Sequence, residues 1–178
     1  MPALPFPLAF RAREAAAFIS SQLDGSGAAG LEGRRIAVLG LLASRSAGEP
    51  LGGVRRPEPL DGMALCAHLL ERGARLVVLD RPRNRLLMER LLQLAADGRG
   101  RVRGSCQLEA DLAGAFRDAA AALLLNGWRQ ERPLAWGGLR DRMQPGAQLF
   151  DLRSGGGLER AAACGLQTWH LEGCTIFL

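Results

Sequence analysis

Short apolar runs of strand length alternate along this chain with segments whose apolar residues recur at helical spacing. That alternation limits the folds open to it. The first run is Ile36-Ala37-Val38-Leu39, led in by Arg34 and Arg35 and stopped by Gly40. An apolar stretch of this length closed by glycine reads as a strand buried on both faces. Further strands are expected over 75–79, 101–108, 120–125, 148–152 and 166–171. Between them, Leu60, Met63, Ala64, Ala67 and Leu70 make one helical face, and Leu87, Leu91, Leu94 and Ala95 another. Shorter helices are expected over 111–117, around Trp136, Leu139, Arg140 and Met143, and over 158–164. Asp61 and Asn84 suit helix starts, and Gly73, Gly98 and Gly165 suit helix ends. An amphipathic helix over 8–23, with Leu8, Ala12, Ala15, Ala16, Ile19 and Leu23 on one side, precedes the first strand.

Strict alternation of strand and helix forces parallel strands joined by right-handed crossovers. The expected fold is α/β: a Rossmann-like three-layer sandwich around a mostly parallel six-stranded sheet of order 3-2-1-4-5-6, preceded by the N-terminal helix. Residues 1–30 would form that helix and a Gly/Ala linker, and residues 31–178 the α/β domain. In such a sheet ligands bind outside the carboxyl ends of the strands, where the winding direction reverses between strands one and four. The segments leaving those ends are 41–59, 126–133 and 153–157. The first has no periodic pattern and is long for a loop inside a domain, which points to function. All three carry arginine. Arg45, Arg55, Arg129 and Arg153 are the candidates to hold an anionic ligand by direct ion pairs. Trp128 shapes the same cleft or covers the sheet end.

Composition narrows the chemistry. The 178 residues suit one domain, and 48% hydrophobic content suits a soluble one. No apolar run approaches the ~20 residues that span a bilayer, and the first residues do not read as a signal peptide. All 23 basic residues are arginine. That bias has the look of GC-rich coding, and it excludes a lysine base or Schiff base from this chain. The net charge of +5 would suit nucleic acid, but the arginines are scattered, tyrosine is absent and aromatics make up 5%. A base-stacking surface is therefore not expected. The four cysteines form no CxxC pair and there are two histidines, so no metal site is expected. Scattered thiols in an α/β pattern point to a reducing, cytoplasmic setting.

No GxGxxG follows the first strand; Gly40 leads into Leu41-Leu42-Ala43. The glycine turn that brings a helix N-terminus onto a pyrophosphate is missing, so a dinucleotide held in the usual way is not expected. His68 lies beside Ala64 and Leu65 in a helix and His170 in the last strand, both read as structural, with no nearby acid or nucleophile. Asp80 reads as a turn residue, and Trp136 and Trp169 as core.

Residues 34–173 resemble the C-terminal, UDP-binding domain of the UDP-glucose/GDP-mannose dehydrogenase family. Ile36-Ala37-Val38-Leu39-Gly40-Leu41 is similar to the family's "IAVLGLAFK", and residues 69–80 to "LLLERGAEVxVYDP". Residues 118–125 with Asn126-Gly127-Trp128 are similar to "ADALVxxTEW". Phe150-Asp151-Leu152-Arg153-Ser154, followed by 158–165, is similar to "FDxRNxxxxxxLxxxG". The helix over 8–23 resembles the end of the family's connecting and dimer-forming helix. The resemblance implies a site for the UDP part of a nucleotide sugar, with Arg153 as the family's nucleotide-sugar arginine. Arg45 stands nearest the family's "FK" lysine, with one residue inserted. Arg55 falls at the family's "TDDxRES" without its paired aspartates.

The family's NAD domain is absent from this chain, as is the cysteine of "GGSCFPKD". Gly104-Ser105-Cys106 reads as a chance fragment of that motif, in the wrong strand. Oxidising an alcohol to an acid needs the cofactor, a thiolate and a base. The expectation is thus a UDP-sugar-binding module with no catalytic residue, no metal and no cofactor of its own. The alternatives are a ligand-free interaction module, or one half of a split NAD-dependent dehydrogenase. As partners, a homodimer or a separate NAD-binding subunit would use the apolar face of the first helix.

Overall fold

Parallel strands need both faces covered, because their crossover helices lie on them. The computed structural model describes residues 8–24, 31–41, 62–79, 102–125, 134–152, 158–172 and 175–176, and meets that condition. Helix α1 (Leu8–Asp24) comes first, then β1 (Arg35–Leu39), α2 (Gly62–Glu71), β2 (Arg75–Leu79) and β3 (Ser105–Glu109). Next come α3 (Leu112–Phe116), β4 (Ala121–Leu124), α4 (Trp136–Arg140) and β5 (Gln148–Asp151). Helix α5 (Glu159–Ala163), β6 (Gln167–Glu172) and β7 (Thr175–Ile176) complete the described elements.

The strand order is 3-2-1-4-5-6-7. Strands β1 to β6 pair in parallel, with Ile36 opposite both Leu76 and Ala121 at the centre. This is the expected Rossmann-like α/β sheet. Two details differ. Strand β7 is an added antiparallel edge, pairing Leu171 with Ile176 and Glu172 with Thr175. The third strand begins at Ser105 rather than 101. The helix expected around Leu87–Ala95 lies outside the described residues.

Successive residues of each strand face opposite sides. Ile36, Val38, Leu76, Val78, Leu123 and Phe150 join α1 and α2 in one core. Ala37, Leu39, Val77, Leu79, Leu124 and Leu149 join α3, α4 and α5 in the other. Every residue of β1 after Arg35 is buried, as the apolar run predicts.

Helix α1 corrects one expectation. Its apolar face is not exposed for docking. Ala12, Ala16 and Ile19 are completely buried, with Ala15 and Leu23 nearly so. Phe18 meets Phe150 edge-on at 6.4 Å and Trp169 at 5.4 Å between ring centroids. Gln148 Nε2 donates to the Gln22 carbonyl at 2.8 Å, and Trp169 Nε1 donates to Gln148 Oε1 at 2.7 Å. The cause is the winding. The crossovers after β4 and β5 send α4 and α5 to the opposite face, leaving β5 and β6 bare on this one. Helix α1 fills that place and shares its core with Leu31 and the sheet.

Candidate functional site

The switch point lies between β1 and β4. Beyond the last paired residues, Leu125 N–H still donates to the Leu39 carbonyl at 2.8 Å, and Leu152 N–H to the Leu124 carbonyl at 2.9 Å. The ladder therefore runs to the ends of all three central strands. Gly40 turns the chain out of β1 at φ 74°, a conformation that favours glycine. Helix α2 returns to the same spot. A Cβ on Gly62 would lie 3.0 Å from Leu125 Cδ1 and 3.4 Å from the Leu41 carbonyl oxygen. Only a glycine lets the first turn of α2 approach the ends of β1 and β4 this closely without displacing Leu125. The positive end of the α2 dipole thus meets the carboxyl edge at the switch point.

Arg45, Arg55, Trp128, Arg129 and Arg153 all lie outside the described residues. What the fold places is where their segments begin. Leu41, Leu125 and Leu152 end adjacent strands β1, β4 and β5 on one edge of the sheet, with neighbouring strands about 4.8 Å apart.

The edge also holds two ionisable groups that the sequence reading leaves outside the site, and His170, read there as having no nearby acid, has Asp151 as its register partner. Asp151 closes β5 and is fully buried, with contacts of its own. The register sets His170 of β6 beside it, on the same face of the sheet. His170 Nδ1 is buried with no hydrogen-bond partner among the described residues. The signal in the sequence is partial: Asp151 closes the apolar pair Leu149-Phe150, but His170 lies in a mixed strand and its place beside Asp151 depends on register.

The other named residues fall in structural roles. His68 does have an acid nearby, against the sequence reading: its Nδ1 lies 3.1 Å from Glu71 Oε2, one helical turn on. Trp136 is buried and edge-on to Phe116 at 6.4 Å, while Trp169 is half-buried against Phe18. Cys106 lies in β3, where desolvation pushes its thiol from 9.0 up to about 12. The thiolate is the nucleophile, so a thiol with that pKa is inert at neutral pH. Near pH 8, alkylation of Cys106 in the folded protein is expected to be about a thousandfold slower than in the unfolded chain. Mass spectrometry of iodoacetamide-treated protein checks this; comparable rates in both states would refute the burial. Because the folded pKa is raised, the thiol's contribution to stability is full below pH 9 and declines as pH rises toward 12.

Among the described residues no three histidine, cysteine, aspartate or glutamate side chains gather to hold a metal ion. The segment after Leu41, on which the reading of a missing glycine turn rests, lies outside the described residues. No helix among the described residues is long and apolar enough to cross a membrane.

No family model matches the chain, and no curated protein matches it in sequence. Solved structures do match in fold. One of the subunits of dipicolinate synthase from Bacillus halodurans is similar over 90% of this chain and 46% of its own, at 16% identity and a TM-score of 0.53. A mitochondrial ornithine carbamoyltransferase from Coccidioides immitis is similar over 79% of this chain and 42% of its own, at 15% identity and a TM-score of 0.51. The chain therefore spans less than half the length of either protein. At such identities the likeness shows a Rossmann-like α/β fold.

Proposed function

We propose that this chain is a nucleotide-sugar-binding module, taking the UDP part of a UDP-sugar or a related nucleotide at the carboxyl edge between β1 and β4. The observation that supports it most is the meeting of the α2 N-terminus with the ends of β1 and β4 around Gly62. A helix N-terminus at a switch point favours an anionic group. The segments that leave this edge carry Arg45, Arg55, Arg129 and Arg153, whose planar forks match phosphate oxygens. The motif around Phe150–Arg153 gives the reading its substrate class. In this reading the part of this module is to bind the nucleotide sugar.

A second reading, an interaction module that has lost its ligand, is favoured by the first segment itself. It lacks the family's lysine and its paired aspartates. Calorimetric titration with UDP, UDP-glucose, GDP-mannose and NAD separates the two. The expected result is salt-sensitive binding of a uridine or guanosine nucleotide with NAD silent. Arg153→Ala should then weaken binding about tenfold or more, the worth of a charge-assisted hydrogen bond. Silence from all four compounds would leave the second reading standing. Unchanged affinity in Arg153→Ala would remove that residue from the site.

A further inference from the structure

The opposite, amino-terminal edge of the sheet carries a feature that nucleotide binding does not use. Each strand from β3 to β5 is entered past an exposed arginine: Arg103 before β3, Arg75 opening β2, Arg34 before β1, Arg117 ahead of β4 and Arg142 ahead of β5. These strands are neighbours in the sheet, so their five entry points, each carrying an arginine, span an arc of the edge about 19 Å long at about 4.8 Å per strand. Arg35 and Arg72, at the same edge, are half-buried, and Arg35 donates to the Gly114 carbonyl at 3.0 Å.

The backbone of this edge is tied together. Arg75 N–H donates to the Arg34 carbonyl, Ala120 N–H to that of Arg35, and Asp118 N–H to that of Arg142, each at 2.8 Å. Leu31 N–H donates to the Arg72 carbonyl at 2.7 Å. Little backbone ordering is left for a partner to impose.

The acids of the edge pair with one arginine of the arc and leave the other four without an ion pair among the described residues. Glu32 meets Arg103 at 3.4 Å, Asp141 meets Arg140 at 3.3 Å, and Glu71 is engaged by His68. Asp24 has contacts of its own, and Asp118 is exposed. Arg34, Arg75, Arg117 and Arg142 stand in no ion pair among the described residues. Helices α2, α3 and α4 end here, so Arg72, Arg117 and Arg140 also offset helix dipoles. Arg34 and Arg75 lead into strands and have no helix end to neutralise.

We infer that this edge docks an acidic protein segment lying across the strand ends. A chain extended at 3.4 Å per residue covers the arc with about six residues, and its alternate side chains point to one side. Carboxylates match the bidentate arginine fork. The edge segments 31–35, 71–75, 102–105, 117–120 and 141–147 contain no aromatic residue on which a base could stack. That favours a carboxylate-rich chain over a nucleic acid.

Fluorescence anisotropy of a labelled oligoglutamate peptide, with a labelled DNA duplex in parallel, tests this on the full chain. The peptide should bind at low ionic strength and weaken as salt rises. R34E/R75E should lose at least about tenfold in affinity, while R13E/R160E, with the same change in net charge, should lose less than about twofold. Circular dichroism confirms that both variants fold; if R34E/R75E does not, Arg34→Ala and Arg75→Ala are each read for a two- to threefold loss. Equal losses in the two double variants would reduce the effect to net charge and overturn the inference. Binding of the duplex but not the peptide would overturn it in favour of nucleic acid, and binding of neither would overturn it outright.

Discussion

Gly104→Ala is expected to detach β3 from the sheet. Gly104 stands where the chain enters β3, its N–H donating to the Leu70 carbonyl at 3.0 Å, with Ser105 N–H donating to the Ala74 carbonyl at 3.1 Å. An added Cβ would overlap the Ala74 carbonyl oxygen and come within 3.0 Å of the Leu70 carbonyl oxygen. Both obstacles are backbone, and both accept the hydrogen bonds that hold the strand start in place. Relief requires moving β3 away from β2. A cost of about 3–5 kcal/mol is expected, the range of severe steric and hydrogen-bond lesions. Urea unfolding monitored by circular dichroism measures it. A loss below about 1 kcal/mol would mean that β3 does not approach β2 this closely.

Removing residues 1–24 should be costlier still. The deletion takes away the buried faces of Ile19, Leu23 and the alanines between Ala12 and Ala16, and it uncovers Phe150 and Trp169. Each large side chain contributes about 1.5–3 kcal/mol by burial. The sum of several is comparable with the whole stability of a domain, roughly 5–15 kcal/mol. The truncated protein should therefore lose its cooperative thermal transition and its near-ultraviolet circular dichroism. A soluble remainder that still melts cooperatively would show α1 to be an appendage, and would restore it as a detachable docking helix.

The core of the fold is legible in the sequence because the apolar runs are short, regular and bounded by glycine and polar residues. The run at Ile36–Leu39 is buried on both faces as read, and its neighbours follow from the handedness of the crossovers. Strand β4 is harder to read. Its alanines permit helix, and only pairing between Ala121–Leu124 and both β1 and β5 makes them strand. Strand β7, two residues long, shows no period at all. The third strand starts late because Val102 and Arg103 precede the close approach at Gly104. Helix α1 is readable as an amphipathic helix, but periodicity shows only that a face is apolar, never whose surface covers it.

The candidate site is legible as an edge and not as a set of contacts. Topology places the starts of the three arginine-bearing segments together. Asp151 and His170 escape a linear reading because their juxtaposition depends on register between β5 and β6, which is a tertiary property. Glu71 lies one turn from His68 and is readable from i,i+3 spacing alone.

The central position of β1 has a consequence for how the chain assembles. Its two neighbours are made at very different times during synthesis. Strand β2 follows soon after, whereas Ala121–Leu124 emerge only after β3 and α3. Until then the hydrogen-bonding edge of Ile36–Leu39 and the apolar faces around it stand open. Pairings so distant along the chain close slowly, and open edges invite association between unfinished molecules. The first three strands form a half-sheet that must wait for β4, and molecular chaperones have most to protect in that interval.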